Sequence, residues 1–213
     1  MRCDKKDLLL YGVTDRSWLG DRTLAQQVEA SLRGGATMIQ LREKHMDRGS
    51  ILAQALELRE LCGRYGVPLI LNDDAELAQA AGADGVHVGQ SDMEAGRVRA
   101  LLGEDKLIGV SARTVEQALA AQAAGADYLG VGAAFVTGTK TDAKPISRET
   151  IRAITAAVDI PVVAIGGIGQ ENIAQLTGTG ADGVAVVSAL FASRDRQAAA
   201  RLLRGMVERM VNA

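Results

Sequence analysis

The polar side chains best suited to binding anions and a hard cation stand directly behind short apolar runs. Gln40, Arg42 and Lys44 follow Ala36-Thr37-Met38-Ile39, and Asn72 and Asp73 follow Pro68-Leu69-Ile70-Leu71. His87 ends, and Asp92 follows, the run Asp84-Gly85-Val86, while Ser111 follows Leu107-Ile108-Gly109-Val110. Thr137, Gly138, Thr139 and Lys140 come after Tyr128-Leu129-Gly130-Val131. Gly166-Gly167 follow Val162-Val163-Ala164-Ile165, and Val187 and Ser188 close the last such run. If these runs are neighbouring parallel strands, the polar groups gather on one rim around one site.

Each group has a chemistry. Asp73 and Asp92, without clustered His or Cys, suit Mg2+, which takes one or two carboxylates plus water and phosphate oxygens, rather than zinc. The competing use of Asp73 and Asp74 is to cap the helix starting at Ala75, and Asp74 is assigned to that. Gln40, Arg42 and Lys44 alternate, so a period of two points them one way and turns Leu41 and Glu43 the other. Gln40 can exchange paired hydrogen bonds with a heterocycle edge, and Arg42 and Lys44 can hold a polyphosphate. Lys140 lies in a long polar loop, 132–144, that reads as a mobile cover. Glycines at 166, 167 and 169 and the helix start near Ser188 form the kind of phosphate cradle found after the last two strands of a barrel. His87 ends a buried strand and could equally be a satisfied core histidine. Two anion pockets, one metal-assisted, point to group transfer with a diphosphate leaving group.

The elements that must position these groups alternate throughout. Strands are expected over 8–13, 36–41, 68–71, 84–88, 107–110, 127–131, 161–165 and 182–187. Their nearly continuous apolar character suits parallel strands buried on both faces. Helices fall between them, capped by Thr23, Thr114 and Ser147, with another opening at Gly49-Ser50. Gly35-Ala36-Thr37, Gly82-Ala83-Asp84, Gly125-Ala126-Asp127 and Gly180-Ala181-Asp182 form a weak repeat leading into alternate strands. Its period of two βα units fits a closed (β/α)8 TIM barrel as a single α/β domain over residues 1–213, and Asp84, Asp127 and Asp182 are structural at the far end. The alternative, an open doubly wound sheet, would carry a glycine-rich loop after its first strand, which Tyr11-Gly12-Val13-Thr14-Asp15 is not.

Composition narrows the partners. Lys+Arg number 24 against Asp+Glu 26, so no basic excess points to nucleic acid. An aromatic content of 3% excludes a base-stacking platform. Cys3 and Cys62 lack metal-ligand spacing, and Cys62 reads as a small buried apolar residue. No run is long enough to span a bilayer and no apolar h-region of a signal peptide stands behind Met1 to Asp7, so a cytoplasmic protein acting on small molecules is expected. A homo-oligomer is left open.

The motifs resemble the thiamin phosphate synthase family over nearly the whole chain. Tyr11-Gly12-Val13-Thr14-Asp15, Gln40-Leu41-Arg42-Glu43-Lys44, Leu71-Asn72-Asp73, Gly85 to Asp92 and Val110-Ser111-Ala112 stand in the family's order. The resemblance implies a TIM barrel that joins a hydroxymethylpyrimidine diphosphate to a thiazole phosphate with magnesium, releasing diphosphate. It implies that Gln40 holds the aminopyrimidine, within a substrate-binding run that includes Leu41 and Glu43. Arg42, Lys44, Asn72, Ser111 and Lys140 would contact the pyrimidine diphosphate, with Arg42, Lys44, Ser111 and Lys140 catalytic. Asp73 and Asp92 would bind magnesium, and Thr137, Gly138, Thr139, Gly167, Val187 and Ser188 the thiazole phosphate. One departure is a strand-six loop without the family's usual prolines. A thiazole tautomerase of similar fold, or a non-catalytic thiamin phosphate-binding module, would not need the acid pair and the basic run together.

Overall fold

The computed structural model describes residues 3–138 and 144–213. Its strands are β1 (Leu10–Val13), β2 (Met38–Leu41), β3 (Leu69–Asn72), β4 (Gly85–Val88), β5 (Leu107–Ala112), β6 (Tyr128–Gly132), β7 (Val162–Ile165) and β8 (Gly183–Val186). Each runs parallel to the next, and β8 pairs back on β1 with Leu10 opposite Val184, closing a barrel in chain order. Closure rules out the open sheet and gives the (β/α)8 fold expected from the alternating pattern.

Helices α1 (Leu24–Arg33), α2 (Arg48–Tyr65), α3 (Ala75–Ala81), α4 (Ala95–Leu102), α5 (Val115–Ala123), α6 (Arg148–Ala157), α7 (Ser188–Phe191) and α8 (Arg196–Val211) fill the connections. Thr23, Thr114 and Ser147 cap as expected, and Asp74 caps α3 by accepting from the Leu77 N–H. Most strand ends shift by one or two residues from expectation, β2 starting at Met38 and β5 running on to Ala112, and two shifts at element starts have a visible cause. Asp47 accepts from the Ser50 N–H and starts α2 at Arg48, because an aspartate cap outcompetes Gly49-Ser50. Asp4 and Asp7 form a reciprocal capping box around a 3-10 turn, Lys5–Leu8, so the first strand begins at Leu10 instead of Leu8.

The apolar runs serve two cores. Leu10, Ile39, Leu41, Leu69, Leu71 and Val86 join the layer shared with the helices, while Tyr11, Val13, Met38, Ile70, Tyr128 and Val163 fill the barrel itself. Alternation along each strand sorts residues between the cores, so the runs show no polar face. Both cysteines are buried, and burial pushes the Cys62 thiol up to about 12, leaving it an inert packing group.

The repeat has a plain physical role. Thr37 Oγ1 accepts from the Leu10 N–H at 2.9 Å, Asp84 Oδ2 from Leu69 at 2.8 Å, Asp127 Oδ2 from Ile108 at 2.8 Å and Asp182 Oδ2 from Val162 at 2.9 Å. The residue leading into each even strand thus satisfies an N–H within the first two residues of the odd strand before it, pinning the barrel at the end opposite the polar rim. Asp127 also holds Arg99 at 2.6 Å, with side chains only 11% and 15% exposed. Asp127→Ala is therefore expected to cost about 2–4 kcal/mol, by taking the counter-ion from a largely buried guanidinium and the acceptor from a strand N–H. Chemical denaturation checks this, and an unchanged midpoint would contradict it.

Candidate active site

The acid pair forms where β3 and β4 end. Asp73 sits at φ 65, a left-handed conformation that a non-glycine residue adopts at a cost of about 1–3 kcal/mol. Its N–H is held by the His87 carbonyl at 2.8 Å. The turn brings its carboxyl into hydrogen-bonding contact with that of Asp92, whose position is fixed by the Gly89 N–H at 2.7 Å. Burial, then the charge and contact of Asp92, push the Asp73 carboxyl up to about 6, while the Asn72 amide and the Lys44 charge pull it down. Two carboxylates pressed together beside an amide, with no third His, Cys, Asp or Glu among the described residues, fit a hard divalent ion that keeps much of its water.

The basic run lies alongside. The Arg42 backbone N–H donates to Thr14 Oγ1 at 3.0 Å, tying the loop to β1. Among the described residues no carboxylate holds Arg42 or Lys44 in an ion pair, and Lys44 is exposed close enough to act on Asp73. Leu41 packs into the outer core at 2% exposure. The Glu43 side chain is 3% exposed and lies 3.5 Å from Arg16, with burial raising its carboxyl. Leu41 therefore turns away from Gln40, as alternation requires, while Leu41 and Glu43 both line a cavity of about 260 Å³ with Asn72 and Asp73.

Gln40 is buried in the barrel mouth and donates from Nε2 to the Tyr11 hydroxyl at 2.6 Å. Ser111 is half-buried on β5, its Oγ 3.0 Å from His87 Nε2 and its carbonyl held by Gln90 Nε2 at 2.7 Å. Burial depresses His87 to about 4, so its imidazole is neutral. The sequence leaves two roles open for His87, sets Tyr11 and Gln90 within motifs without a role of their own, and does not single out Tyr128. The available signal was a pair of tyrosines within strand runs of an otherwise aromatic-poor chain.

The second pocket is a cavity of about 390 Å³ lined by Thr137, Gly138, Gly167, Gly169, Ser188 and Ala189, among others. Gly166 and Gly167 have φ 100 and 65, which only glycine tolerates easily. Asn172 braces the turn, donating to the Gly167 carbonyl at 2.8 Å and accepting from the Gly169 N–H at 2.9 Å. Among the described residues no side chain caps α7, whose first N–H groups follow Val187 at the cavity wall. Thr139 and Lys140 lie outside the described residues.

Known proteins resemble this chain over nearly its whole length. A sequence model described as thiamine monophosphate synthase matches residues 10–190. The thiamine-phosphate synthase of Chloroflexus aurantiacus is 52% identical over 202 residues, 94% of this chain and 93% of that one. The thiamine-phosphate synthase of Ruminiclostridium cellulolyticum is 50% identical over 199 residues, 93% and 95% of the two chains. The solved thiamine phosphate pyrophosphorylase from Pyrococcus furiosus superposes with a TM-score of 0.89 at 37% identity, covering 97% of this chain and 98% of that one. Likeness of this extent, in a barrel whose motif residues meet at one rim, places the chain in the thiamine monophosphate synthase family.

Proposed function

We propose that this chain joins hydroxymethylpyrimidine diphosphate to hydroxyethylthiazole phosphate, giving thiamin phosphate and diphosphate. The observation that carries this reading is the pairing, on one rim, of touching Asp73 and Asp92 with a separate glycine-walled cavity at Gly167 and Ser188. One pocket takes a leaving diphosphate and the other an acceptor phosphate. The touching carboxyls would hold Mg2+, which when bound supplies positive charge against the diphosphate.

This chain's own residues do the rest. Gln40 holds the aminopyrimidine edge, and Asn72 and Ser111 donate to diphosphate oxygens. Arg42, Lys44 and Lys140 place cationic charge where negative charge grows as the C–O bond breaks, stabilising the transition state more than the ground state. The electron-rich ring carries the resulting methylene cation until the thiazole nitrogen captures it, so no protein nucleophile is needed. Thr137, Gly138, Thr139, Gly167, Val187 and Ser188 hold the thiazole phosphate in line. Exclusion of water from the site would keep it from capturing the cation. The reading has the chain act in the cytoplasm on small molecules. Among the described residues no helix is long and apolar enough to cross a membrane.

Incubating purified protein with both substrates and magnesium, then measuring diphosphate release, tests the reaction; release requiring both substrates is expected. Lys140→Ala should lower the single-turnover rate by roughly 10²-fold or more, the scale of removing one preorganised electrostatic group. A wild-type rate in that variant would remove Lys140 from the scheme.

A further inference from the structure

Beneath the two pockets a chain of side chains crosses the barrel interior. Gln40 Nε2 lies 2.6 Å from the Tyr11 hydroxyl, which is 2.9 Å from the Tyr128 hydroxyl. Tyr128 lies 3.2 Å from His87 Nδ1, and His87 Nε2 lies 3.0 Å from Ser111 Oγ. Gln40, Tyr11, Tyr128 and His87 are all buried. The barrel is built around them. A side chain at Gly109 would collide with the Tyr128 ring and His87 Nδ1, and one at Gly130 would meet His87 Cε1 at 2.8 Å. Strands β5 and β6 therefore omit side chains where the rings lie.

We propose that these five groups form one directional hydrogen-bond relay, which makes Ser111 a donor toward the bound diphosphate and leaves the Gln40 carbonyl as an acceptor for the ring amino group. The inference deepens the function proposed above and rests on it for the identity of the two ligand groups. The direction follows from counting protons. The Gln40 amide nitrogen only donates, so the Tyr11 oxygen accepts and its own proton goes to Tyr128. Tyr128 then gives its proton to His87 Nδ1. The neutral imidazole carries its single proton on Nε2 and donates to Ser111. The Ser111 proton is left pointing outward. Reversing one link alone would strand a buried phenol proton without an acceptor.

The opposite direction needs the Gln40 amide turned over. Ser111 would then give its proton to His87 and face an anion with lone pairs, and Gln40 would set an amino group against the ring's amino group. Both ends would mismatch their ligands together, so the relay couples ring recognition to leaving-group recognition. Tyr11, Tyr128 and His87 are in this sense positioning residues, acting through Gln40 and Ser111.

The test is long-range proton–nitrogen NMR on 15N-labelled protein without substrate, where His87 is one of only two histidines. Wild type should show His87 protonated on Nε2 alone, and Tyr128→Phe, which keeps the ring packing, should weaken that preference. In kinetics Tyr128→Phe should raise KM for the pyrimidine diphosphate about ten-fold, the scale of one hydrogen bond to a charged group, while KM for the thiazole phosphate stays put. Tyr11→Phe should keep the His87 tautomer and weaken pyrimidine binding. A wild-type His87 protonated on Nδ1, or a Tyr128→Phe variant with both tautomer and KM unchanged, overturns the relay. If wild-type protein released no diphosphate, the functional reading would fail while the tautomer result stood on its own.

Discussion

Replacing Asp92 by alanine should abolish most of the magnesium dependence and lower turnover by roughly 10²-fold or more. The same change should leave the metal-free protein as stable as wild type, or more so. Asp92 touches Asp73 and helps hold that carboxyl up near 6, which is the signature of a contact that is repulsive when both groups are charged. Its removal relieves the repulsion and gives up one hydrogen bond, from the Gly89 N–H. Asp73→Gly should follow the same pattern more strongly. Glycine removes the carboxylate and also the strain of a side chain at φ 65, so activity falls while stability rises. Magnesium titration of the rate, set beside thermal melts without metal, reads both effects. A metal titration curve matching wild type in Asp92→Ala would rule out its role as a ligand. Large stability losses in both variants would instead make the pair a structural device.

Much of this site is legible in the sequence because parallel strands of a barrel end at one rim, so a polar residue behind an apolar run has few other places to go. The rim positions of Asp73, Asp92, Ser111, Gly167 and Ser188 are readable in that way, as is the capping of α3 by Asp74. Alternation also separates Gln40 from Leu41, although the motif resemblance groups them. The interior relay was not readable. Tyr11 and Tyr128 stand 117 residues apart, and in a strand with both faces buried a tyrosine looks like another apolar residue. Only closure of the barrel brings the two hydroxyls to 2.9 Å. The supporting glycines are equally silent, because Gly109 and Gly130 read as weak spots in strands until the rings they admit are seen. Asn172, which braces the phosphate turn, sits five residues from the carbonyl it holds and follows no strand. The Asp-for-Thr exchange in the strand-leading repeat was visible as a pattern, yet its purpose appears only when the accepting oxygens are matched to N–H groups of the preceding strand.

Gly167→Ala should raise KM for the thiazole phosphate by roughly 5- to 150-fold, corresponding to about 1–3 kcal/mol of backbone strain at a left-handed position. Two independent effects act there. The residue sits at φ 65, and an added Cβ would run into the Val136 carbonyl oxygen and come within 3.0 Å of the Phe135 backbone. Those backbone atoms cannot swing aside as a flexible side chain could. The segment is tied to the turn by the Phe135 N–H donating to the Gly166 carbonyl at 2.9 Å and by Ala134 donating to Ile165 at 2.8 Å. Relief of the clash therefore either breaks these bonds or opens the turn whose N–H groups face the cavity, and both routes widen the phosphate pocket. Gly138 supplies the internal control. It lines the same cavity, its φ is not in the left-handed range, and a Cβ there would meet nothing within 4 Å among the described residues. Gly138→Ala should thus change KM for the thiazole phosphate little. If the two alanine variants behave alike, the cavity wall tolerates displacement and the phosphate is held elsewhere. If only Gly167→Ala weakens thiazole binding and leaves KM for the pyrimidine diphosphate unchanged, the two anion pockets are separate in energy as well as in space.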